Sequence, residues 1–347
     1  MILITGGCGF IGSHTTIELI QNGYDCIIID NFSNSNSNIL PKLEKICQKS
    51  IKFQKIDMVN KVDLEKVFAN NNIDCVIHFA GLKAVGESQQ KPIPYYQNNL
   101  ISTLNLLEIM QKYNCKKLIF SSSATVYGNS SSPLTEKSST GKGITNPYGQ
   151  TKYMIEQILE DYCKSDKNMR IISLRYFNPI GAHPSGLIGE NPNGIPNNIM
   201  PYIMRVALQN NTMHFFDDKY KKIQIFGNDY NTKDGTAIRD YIHVDDLAKG
   251  HLKALANIKK GYDVFNLGTG KGTSVLELIQ TFSKTNNLQI PFSYSPKRTG
   301  DLETVFCNCE KAYKLLGWKC NKTLEDACKD CWNFQKTNEP NLIISNF

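Results

Sequence analysis

The order of apolar and polar residues along the chain predicts strands that alternate with helices. Residues 1–5 are apolar and β-branched, residues 13–22 carry apolar side chains at helical spacing, and residues 25–29 form a second apolar run. The same alternation continues, with strands predicted at 51–56, 75–79 and 117–121 and helices predicted at 61–69 and 98–113. Strands alternating with helices indicate a parallel sheet, so we expect an α/β fold with a doubly wound, Rossmann-type sheet.

The second half of the chain has a less regular pattern. Residues 199–209 read as a helix, and the apolar run at 264–267 reads as a strand that returns to the first sheet. With 347 residues, the chain is longer than one typical compact domain. We therefore expect a Rossmann domain over 1–178 and a smaller, mixed α/β domain over 179–347, with some chain returning to the Rossmann sheet near 236–268.

The composition agrees with a folded protein that has no membrane anchor. Apolar residues make up 41% of the chain, and none of their runs approaches the roughly 18 residues of a membrane span. The first residues read as a strand and contain no basic segment typical of a secretory signal. The net charge of +7 is not concentrated in a basic patch, so we expect no nucleic-acid partner, no membrane partner and a cytoplasmic location.

The eleven cysteines are expected to be reduced thiols. Cys307 and Cys309 would share one face of a strand, while Cys328 and Cys331 would lie one turn apart on a helix. A metal cluster that also includes Cys320 is therefore an alternative. The lengths between these residues match no zinc motif, and we expect no metal.

The first predicted strand leads directly into the glycine turn Gly-Gly-Cys-Gly-Phe-Ile-Gly at 6–12, and Asp30 ends the second strand. Gly6 permits a tight turn, Gly9 lets the backbone approach a pyrophosphate, and Gly12 lets helix and strand pack closely. Asp30 can accept both hydroxyls of an adenosine ribose, and its charge disfavours the additional phosphate of NADP. This strand-turn-helix-strand unit therefore predicts an NAD site, with Asp57 at the end of the next strand facing the adenine.

Candidate catalytic residues occur in Ser-Ser-Ser-Ala-Thr-Val-Tyr-Gly at 121–128 and in Asn-Pro-Tyr-Gly-Gln-Thr-Lys at 146–152. Pro147 stands where a helix would begin, so Tyr148 and Lys152 would lie one turn apart on one face. A nearby ammonium and a bound cationic nicotinamide would lower the pKa of the phenol from about 10 towards 7. Tyr148 is therefore a candidate acid and base, although this spacing alone also suits a core tyrosine beside a lysine.

Together these motifs resemble the extended short-chain dehydrogenase/reductase superfamily and, within it, the UDP-glucose 4-epimerase family. Further support comes from His-Phe-Ala-Gly-Leu-Lys at 78–83, Leu-Arg-Tyr-Phe-Asn-Pro at 174–179, Gly-Ile-Pro-Asn-Asn at 194–198 and Arg-Asp-Tyr-Ile-His at 239–243. The resemblance covers nearly the whole chain. It implies a homodimeric isomerase that interconverts UDP-galactose and UDP-glucose through a 4-keto intermediate, with NAD held by the first domain and the UDP-hexose by the second.

The resemblance also implies a role for each residue of the site. Ser123 and Tyr148 would contact the 4-hydroxyl of the hexose, with Tyr148 as the base and Lys152 lowering its pKa. The cofactor set is Gly6, Gly9, Phe10, Ile11, Gly12, Asp30, Asn31, Asp57, Met58, Phe79, Ala80, Gly81, Lys83, Asn98, Ser121, Tyr148, Lys152 and Tyr176. The substrate set is Lys83, Ser123, Tyr148, Phe177, Asn178, Asn197, Asn198, Ile225, Phe226, Arg239, Tyr241, Arg298, Asp301 and Val305.

Simple chemistry agrees with the substrate set. Arg239 and Arg298 offer forked donors to a diphosphate, Phe226 can stack on uracil, and Asp301 can accept the hydroxyls of a ribose. The alternative is that Arg298 and Asp301 pair only with each other.

Two departures from related sequences bear on the reaction. In relatives that eliminate water, an Asp-Glu pair follows the serine or threonine, whereas Ala124 and Thr125 stand here, so we expect oxidation and its reversal only. Val305 replaces a bulky tyrosine found in some relatives beside the hexose 2-position, so we expect turnover of N-acetylated UDP-hexosamines as well. Residues 212–222 form a longer connection than in the family, and we expect a surface extension there.

Two other classes of function remain open from the sequence. A redox-sensing NAD-binding regulator would keep the glycine turn but would have no need of the Ser-Tyr-Lys set. A plain NAD-dependent dehydrogenase would keep the set but release NADH.

Overall fold

The computed structural model of the chain describes residues 1–192, 194, 196, 198–211, 217–298 and 300–339. The strands are β1 (Ile2–Thr5), β2 (Cys26–Asp30), β3 (Lys52–Lys55), β4 (Cys75–His78), β5 (Lys117–Ser123), β6 (Arg170–Tyr176), β7 (Asn178–Ile180), β8 (Ile223–Phe226), β9 (Ile238–Arg239), β10 (Tyr241–His243), β11 (Gly261–Leu267), β12 (Thr273–Ser274), β13 (Phe292–Ser295) and β14 (Thr304–Val305). The helices are α1 (Phe10–Gln21), α2 (Ile39–Cys47), α3 (Lys61–Asn70), α4 (Val85–Gln90), α5 (Pro92–Lys112), α6 (Pro147–Ser165), α7 (Ile199–Asn211), α8 (Val244–Ala256), α9 (Val275–Asn286), α10 (Glu310–Leu316) and α11 (Leu324–Asn338).

The main sheet has seven strands in the order β11-β6-β5-β4-β1-β2-β3, and all of its neighbouring strands run parallel. The strand order reverses between β1 and β4, which in a sheet of this kind opens a crevice at the carboxyl ends of the strands. The predicted doubly wound Rossmann-type sheet is thereby confirmed. Its last strand, β11, comes from far along the chain and pairs with β6 at the edge of the sheet.

The two faces of this sheet carry two separate hydrophobic cores. Side chains of a strand alternate between faces, so Ile2 and Ile4 enter one core while Leu3 enters the other. The first core is closed by helices α1, α2 and α8, and the second by α3, α5 and α6. Because both faces are covered, β1 and β2 read as unbroken apolar runs.

The second half of the chain builds three small sheets and a third core. These sheets pair β10 with β7, β13 with β8, and β12 and β14 with β9. Helices α7, α9 and α11 pack together beside them through side chains such as Met204, Phe282 and Trp332. The division of the chain at residue 178 stays a prediction.

The start of helix α5 and the segment 212–222 differ from the sequence-based expectations. Helix α5 begins at Pro92 and not at residue 98, because prolines are tolerated in the first turn of a helix, where their missing N–H has no partner to lose. The expectation of a surface extension over 212–222 is wrong at Tyr220, which is buried in the third core and accepts a hydrogen bond from Arg205 Nη1 at 2.5 Å. Residues 212–216 of this segment, which include Phe215 and Phe216, lie outside the described residues.

Neither membrane-spanning helices nor metal clusters occur in the part of the chain that the structure describes. No helix there is both long and apolar enough to cross a membrane. No group of three or more His, Cys, Asp or Glu side chains there is arranged to hold a metal ion. All eleven cysteines are free thiols; Cys307 and Cys309 place their sulfurs 3.0 Å apart, and Cys328 and Cys331 are buried on one side of α11.

Candidate active site

The carboxyl ends of the sheet strands open into a cavity of about 930 Å³. Its first wall comes from the glycine turn and from the ends of β2, β4 and β5, where the strand order reverses. Its second wall comes from the segment after β6, from α7 and β8, and from Arg239 and Arg298. The cavity therefore joins the predicted NAD site to the predicted nucleotide-sugar site.

The glycine turn is shaped by close contacts that only glycine permits. Gly6 has φ +66°, and a Cβ there would lie 2.8 Å from the backbone nitrogen of Ala80. A Cβ on Gly12 would lie 2.5 Å from the carbonyl oxygen of Gly6. Helix α1 begins within this segment, at Phe10, with no side chain capping it and no acidic residue in its first turn. Its free N–H groups and positive dipole end therefore fit a pyrophosphate.

Asp30 stands at the end of β2 and is fixed by three hydrogen bonds. Its Oδ2 accepts from the Cys8 backbone N–H at 3.0 Å, and its Oδ1 accepts from the Phe32 N–H at 2.9 Å and from Ser35 Oγ at 2.8 Å. The carboxylate is thus held at the edge of the cavity in an orientation set by the protein. The contribution of Ser35 and its neighbours at 33–36 was missed, because the polar repeat 31–38 looks like an ordinary surface loop.

The three candidate catalytic residues meet in the cavity. Ser123 ends β5, while Tyr148 and Lys152 lie in the first turns of α6, whose start at Pro147 confirms the predicted helix boundary. Ser123 Oγ accepts from the N–H and Oγ1 of Thr125, at 3.2 and 2.9 Å. Its own proton is therefore left for Tyr148, with which it also hydrogen bonds.

Burial dominates the pKa values of Tyr148 and Lys152. Burial raises the pKa of the Tyr148 phenol, and the hydrogen bond from Ser123 only partly offsets this. Burial also lowers the pKa of Lys152 to about 7, although Glu156 acts in the opposite direction. The Lys152 ammonium donates to the carbonyl of Ser121 at 2.5 Å and lies 5.9 Å from the centre of the Tyr148 ring. Burial therefore dominates among the protein's own groups, and the predicted lowering of the Tyr148 pKa by Lys152 together with a bound nicotinamide stays a prediction.

A buried ion pair lies behind the serine run and was missed from the sequence. Arg175 of β6 donates to Glu156 of α6 through Nε at 3.0 Å and Nη2 at 2.6 Å, and Ser122 Oγ donates to the same carboxylate at 2.5 Å. Both charged side chains are more than nine-tenths buried. One sequence signal could have indicated it, since Tyr148, Lys152 and Glu156 follow each other at four-residue intervals on one helix face.

The opposite wall of the cavity carries the candidate nucleotide-sugar residues. The Arg298 guanidinium lies 4.8 Å from the centre of the Phe226 ring, and its Nε donates to Asp301 Oδ2 at 2.8 Å. The pairing considered from the sequence therefore forms in the structure. Because the Arg298 side chain is 58% exposed, this pair costs little to exchange for a ligand. Arg239 Nη1 donates to the carbonyl of Ile238 at 2.7 Å and also faces the cavity.

Most of the predicted site residues line this cavity, and three need separate mention. Ile225 does not line it and is fully buried in the third core, because alternation along β8 turns Ile225 inward and Phe226 outward. Val305 also lies outside the lining and packs against the cluster around Val126 and Tyr127. Asn197 lies outside the described residues. The others line the cavity: Gly6, Gly9, Phe10, Ile11, Gly12, Asp30, Asn31, Asp57, Met58, Phe79, Ala80, Gly81, Lys83, Asn98, Ser121, Ser123, Tyr148, Lys152, Tyr176, Phe177, Asn178, Asn198, Phe226, Arg239, Tyr241, Arg298 and Asp301.

Glu190 is a further cavity residue that the sequence did not indicate. It accepts hydrogen bonds from Lys83 Nζ at 3.1 Å and Asn198 Nδ2 at 2.6 Å. Asn198 lies eight residues after Glu190, but Lys83 comes from a distant part of the chain, so no sequence motif indicates that the three meet.

Comparison with known proteins agrees with this geometry. The model of the NAD dependent epimerase/dehydratase family matches residues 2–268. The chain is 50% identical over 340 residues to the UDP-glucose 4-epimerase of Bacillus subtilis (strain 168), covering 97% of each chain. The UDP-glucose 4-epimerase of Bifidobacterium longum, solved in complex with NAD+ and UDP, is 50% identical with a TM-score of 0.91, covering 98% of this chain and 99% of that one. The UDP-Glc/GlcNAc 4-epimerase of Campylobacter jejuni is 33% identical with a TM-score of 0.80, covering 97% and 99%.

Proposed function

The chain belongs to the NAD dependent epimerase/dehydratase family, and from that premise we infer that it is an isomerase that interconverts UDP-galactose and UDP-glucose by reversible epimerisation at C4. The observation that carries this inference is the meeting of Ser123, Tyr148 and Lys152 in one cavity with the glycine turn and the two arginines. The relatives of known activity match over nearly the full length of both chains.

The residues present fit NAD as the cofactor. The bare N-terminus of α1 would hold the pyrophosphate, Asp30 the adenosine ribose, and Lys152 the nicotinamide ribose. When bound, NAD supplies a hydride acceptor for C4 of the hexose and a positive charge beside the phenol. The fixed Asp30 carboxylate also repels a 2′-phosphate, which favours NAD over NADP.

Tyr148 is the group that moves the proton. Its hydroxyl would take the proton of the hexose 4-hydroxyl and later return it, while Ser123 donates a hydrogen bond to the phenolate. Because burial raises the pKa of Tyr148, the phenolate needs positive charge nearby, and the protonated fraction of Lys152 contributes part of it.

The opposite wall would hold the nucleotide and leave the hexose free to turn. Arg239 and Arg298 would bind the diphosphate, Phe226 would stack on uracil, and Asp301 would accept the ribose hydroxyls. Ala124 and Thr125 offer no acid or base for eliminating water, which restricts the site to epimerisation.

We also propose that residues 1–178 bind NAD and residues 179–347 bind the UDP-hexose. Hydrogen exchange measured with and without UDP would check this division.

The activity is tested by incubating the purified protein with UDP-galactose alone. We expect UDP-glucose to form without added NAD, because the cofactor ends the cycle unchanged and stays bound. Acid denaturation of the same protein should release dinucleotide. An NAD-dependent dehydrogenase would require added NAD and accumulate NADH, and an NAD-binding regulator would form no product; either result would reject the inference.

We further propose that N-acetylated UDP-hexosamines are substrates, because the short side chain of Val305 stays outside the cavity. Val305 of β14 pairs in parallel register with Arg239 of β9, so both side chains point to the same face. The short valine stays within its hydrophobic cluster, whereas a tyrosine at this position would extend towards the cavity that Arg239 lines. We expect Val305→Tyr to lower kcat/KM for UDP-N-acetylgalactosamine by about tenfold or more and to spare UDP-galactose.

Steady-state assays with both substrates check this, with Val305→Ile as the control of similar size. Absence of turnover of UDP-N-acetylgalactosamine by the unchanged protein would refute the proposal, and equal losses on both substrates would refute the role of Val305.

We propose a homodimer formed through α5 and α6. Ile93, Ile101 and Leu104 project from one face of α5, and Met154 of the adjacent α6 is also exposed. Analytical ultracentrifugation should show a dimer that Leu104→Glu weakens. A cytoplasmic location is supported by the eleven free thiols, which a reducing compartment preserves, and cell fractionation would test it.

A further inference from the structure

One oxygen of a buried carboxylate in the cavity wall has no hydrogen-bond partner in the part of the chain that the structure describes. Glu190 is 7% exposed, and its Oε1 accepts hydrogen bonds from Lys83 Nζ at 3.1 Å and Asn198 Nδ2 at 2.6 Å. Its Oε2 is buried and has no hydrogen-bond partner among the described residues. The carboxylate therefore carries both of its protein donors on one oxygen.

This arrangement is unfavourable in the protein alone. A carboxylate removed from water costs free energy unless both oxygens receive hydrogen bonds, and the two oxygens together have about four acceptor positions. Glu190 nevertheless lines the same cavity as Tyr148 and Ser123. A molecule that binds in the cavity can supply the missing donor. We therefore expect Glu190 Oε2 to accept a hydrogen bond only when a ligand occupies the site.

The negative charge of the Glu190 carboxylate limits which group of a ligand can donate to Oε2. A phosphate oxygen would be repelled by the carboxylate, and the proposed partners of the two cofactor riboses are Asp30 and Lys152. Glu190 instead connects Lys83, which follows β4, with Asn198, which precedes α7. It therefore lies between the two walls, where a nucleotide sugar presents the neutral hydroxyls of its hexose.

We propose that Glu190 binds the hexose of the substrate by accepting a hydrogen bond from one of its hydroxyl groups at Oε2. At the same time, Oε1 positions the Lys83 ammonium and the Asn198 amide against the ligand. This proposal rests on the proposed function, because it requires that the cavity binds a UDP-hexose. The carboxamide of the nicotinamide is the other neutral donor available, and the measurements below distinguish the two.

Glu190→Gln tests the contact, because the amide keeps the length of the side chain and an acceptor for Lys83 and Asn198 but removes the charge at the second position. We expect the affinity for UDP-galactose to fall about tenfold, since hydrogen bonds to charged groups are stronger than those between neutral groups. The affinity for UDP, which has no hexose, should stay within about twofold, and the NAD content should not change. KM should rise with little change in kcat, because the contact stabilises substrate and transition state alike.

A series of monodeoxy UDP-galactose analogues locates the donor hydroxyl. For the unchanged protein, we expect the analogue lacking that hydroxyl to bind about tenfold more weakly than UDP-galactose. For Glu190→Gln, we expect the same analogue to bind as well as UDP-galactose itself. The substitution has already weakened the hydrogen bond between residue 190 and that hydroxyl, so removing the hydroxyl costs no further affinity. The control is Glu136→Gln, in which a half-buried glutamate that accepts the N–H of Asn266 lies away from the cavity.

Several results would overturn the proposal. Equal losses for UDP and UDP-galactose would show that Glu190 acts only through Asn198, and loss of NAD content would assign the missing donor to the cofactor. If every monodeoxy analogue binds the unchanged protein within twofold of UDP-galactose, no hexose hydroxyl meets the carboxylate, and this holds even if Glu190→Gln fails to fold. If the unchanged protein does not epimerise UDP-galactose, the proposed function fails instead.

Discussion

Replacement of Tyr148 by phenylalanine is expected to lower kcat for UDP-galactose by about a thousandfold, the middle of the range that a positioned acid and base contributes. Phenylalanine keeps the ring on α6 and removes only the hydroxyl that would exchange a proton with the hexose. Ser123 cannot take over, since its oxygen already accepts two hydrogen bonds from Thr125. Conversion of UDP-galactose measured at saturating substrate checks the prediction.

Tyr153→Phe is the matched control for this variant. Tyr153 lies on the same helix, is half-buried, and packs against the cluster around Val126 and not against the cavity. We expect it to keep full activity, and both variants should keep their bound dinucleotide. A Tyr148→Phe protein with near-normal turnover would remove Tyr148 from the mechanism.

Replacement of Arg175 by methionine is expected to lower the free energy of unfolding by about 4 kcal/mol. Arg175 and Ser122 are the hydrogen-bond donors of the buried Glu156 carboxylate, and methionine fills the space of the arginine without donating anything. Urea unfolding at saturating NAD, with the slope checked for constancy, measures the change.

Two further variants show whether burial is the cause. Lys164→Met removes the exposed ion pairs with Glu160 and Asp161 and should cost less than about 1 kcal/mol. The double variant Arg175→Met with Glu156→Leu should recover much of the lost stability, because the unpaired charge is then gone. If Arg175→Met lowers the free energy of unfolding no more than Lys164→Met does, the buried ion pair does not contribute the expected stability.

The features that the sequence predicted correctly are those fixed by neighbouring residues. The βαβ unit around the glycine turn shows itself by apolar runs and glycine spacing, and the start of α6 follows from Asn146 and Pro147, whose capping and fixed backbone angle are local properties. The doubly wound sheet follows from the repeated alternation of predicted strands and helices along the chain.

The features that were missed depend on contacts between distant residues. Glu190 meets Lys83 only after the two halves of the chain have folded together, and Ser35 donates to Asp30 from a polar loop whose sequence predicts no fixed structure. The pKa of Tyr148 could not be obtained from its spacing to Lys152, because burial raises it and the extent of burial depends on the whole fold.

The late position of β11 in the chain affects how the main sheet forms while the protein is being synthesised. Six strands of the main sheet are complete once Tyr176 has left the ribosome, but their outermost strand on one side, β6, acquires its neighbour only when residues 261–267 emerge. Until then, the backbone N–H and C=O groups along β6 are exposed to pairing with other nascent chains. The growing polypeptide is therefore expected to need a chaperone most during translation of the interval between these two strands.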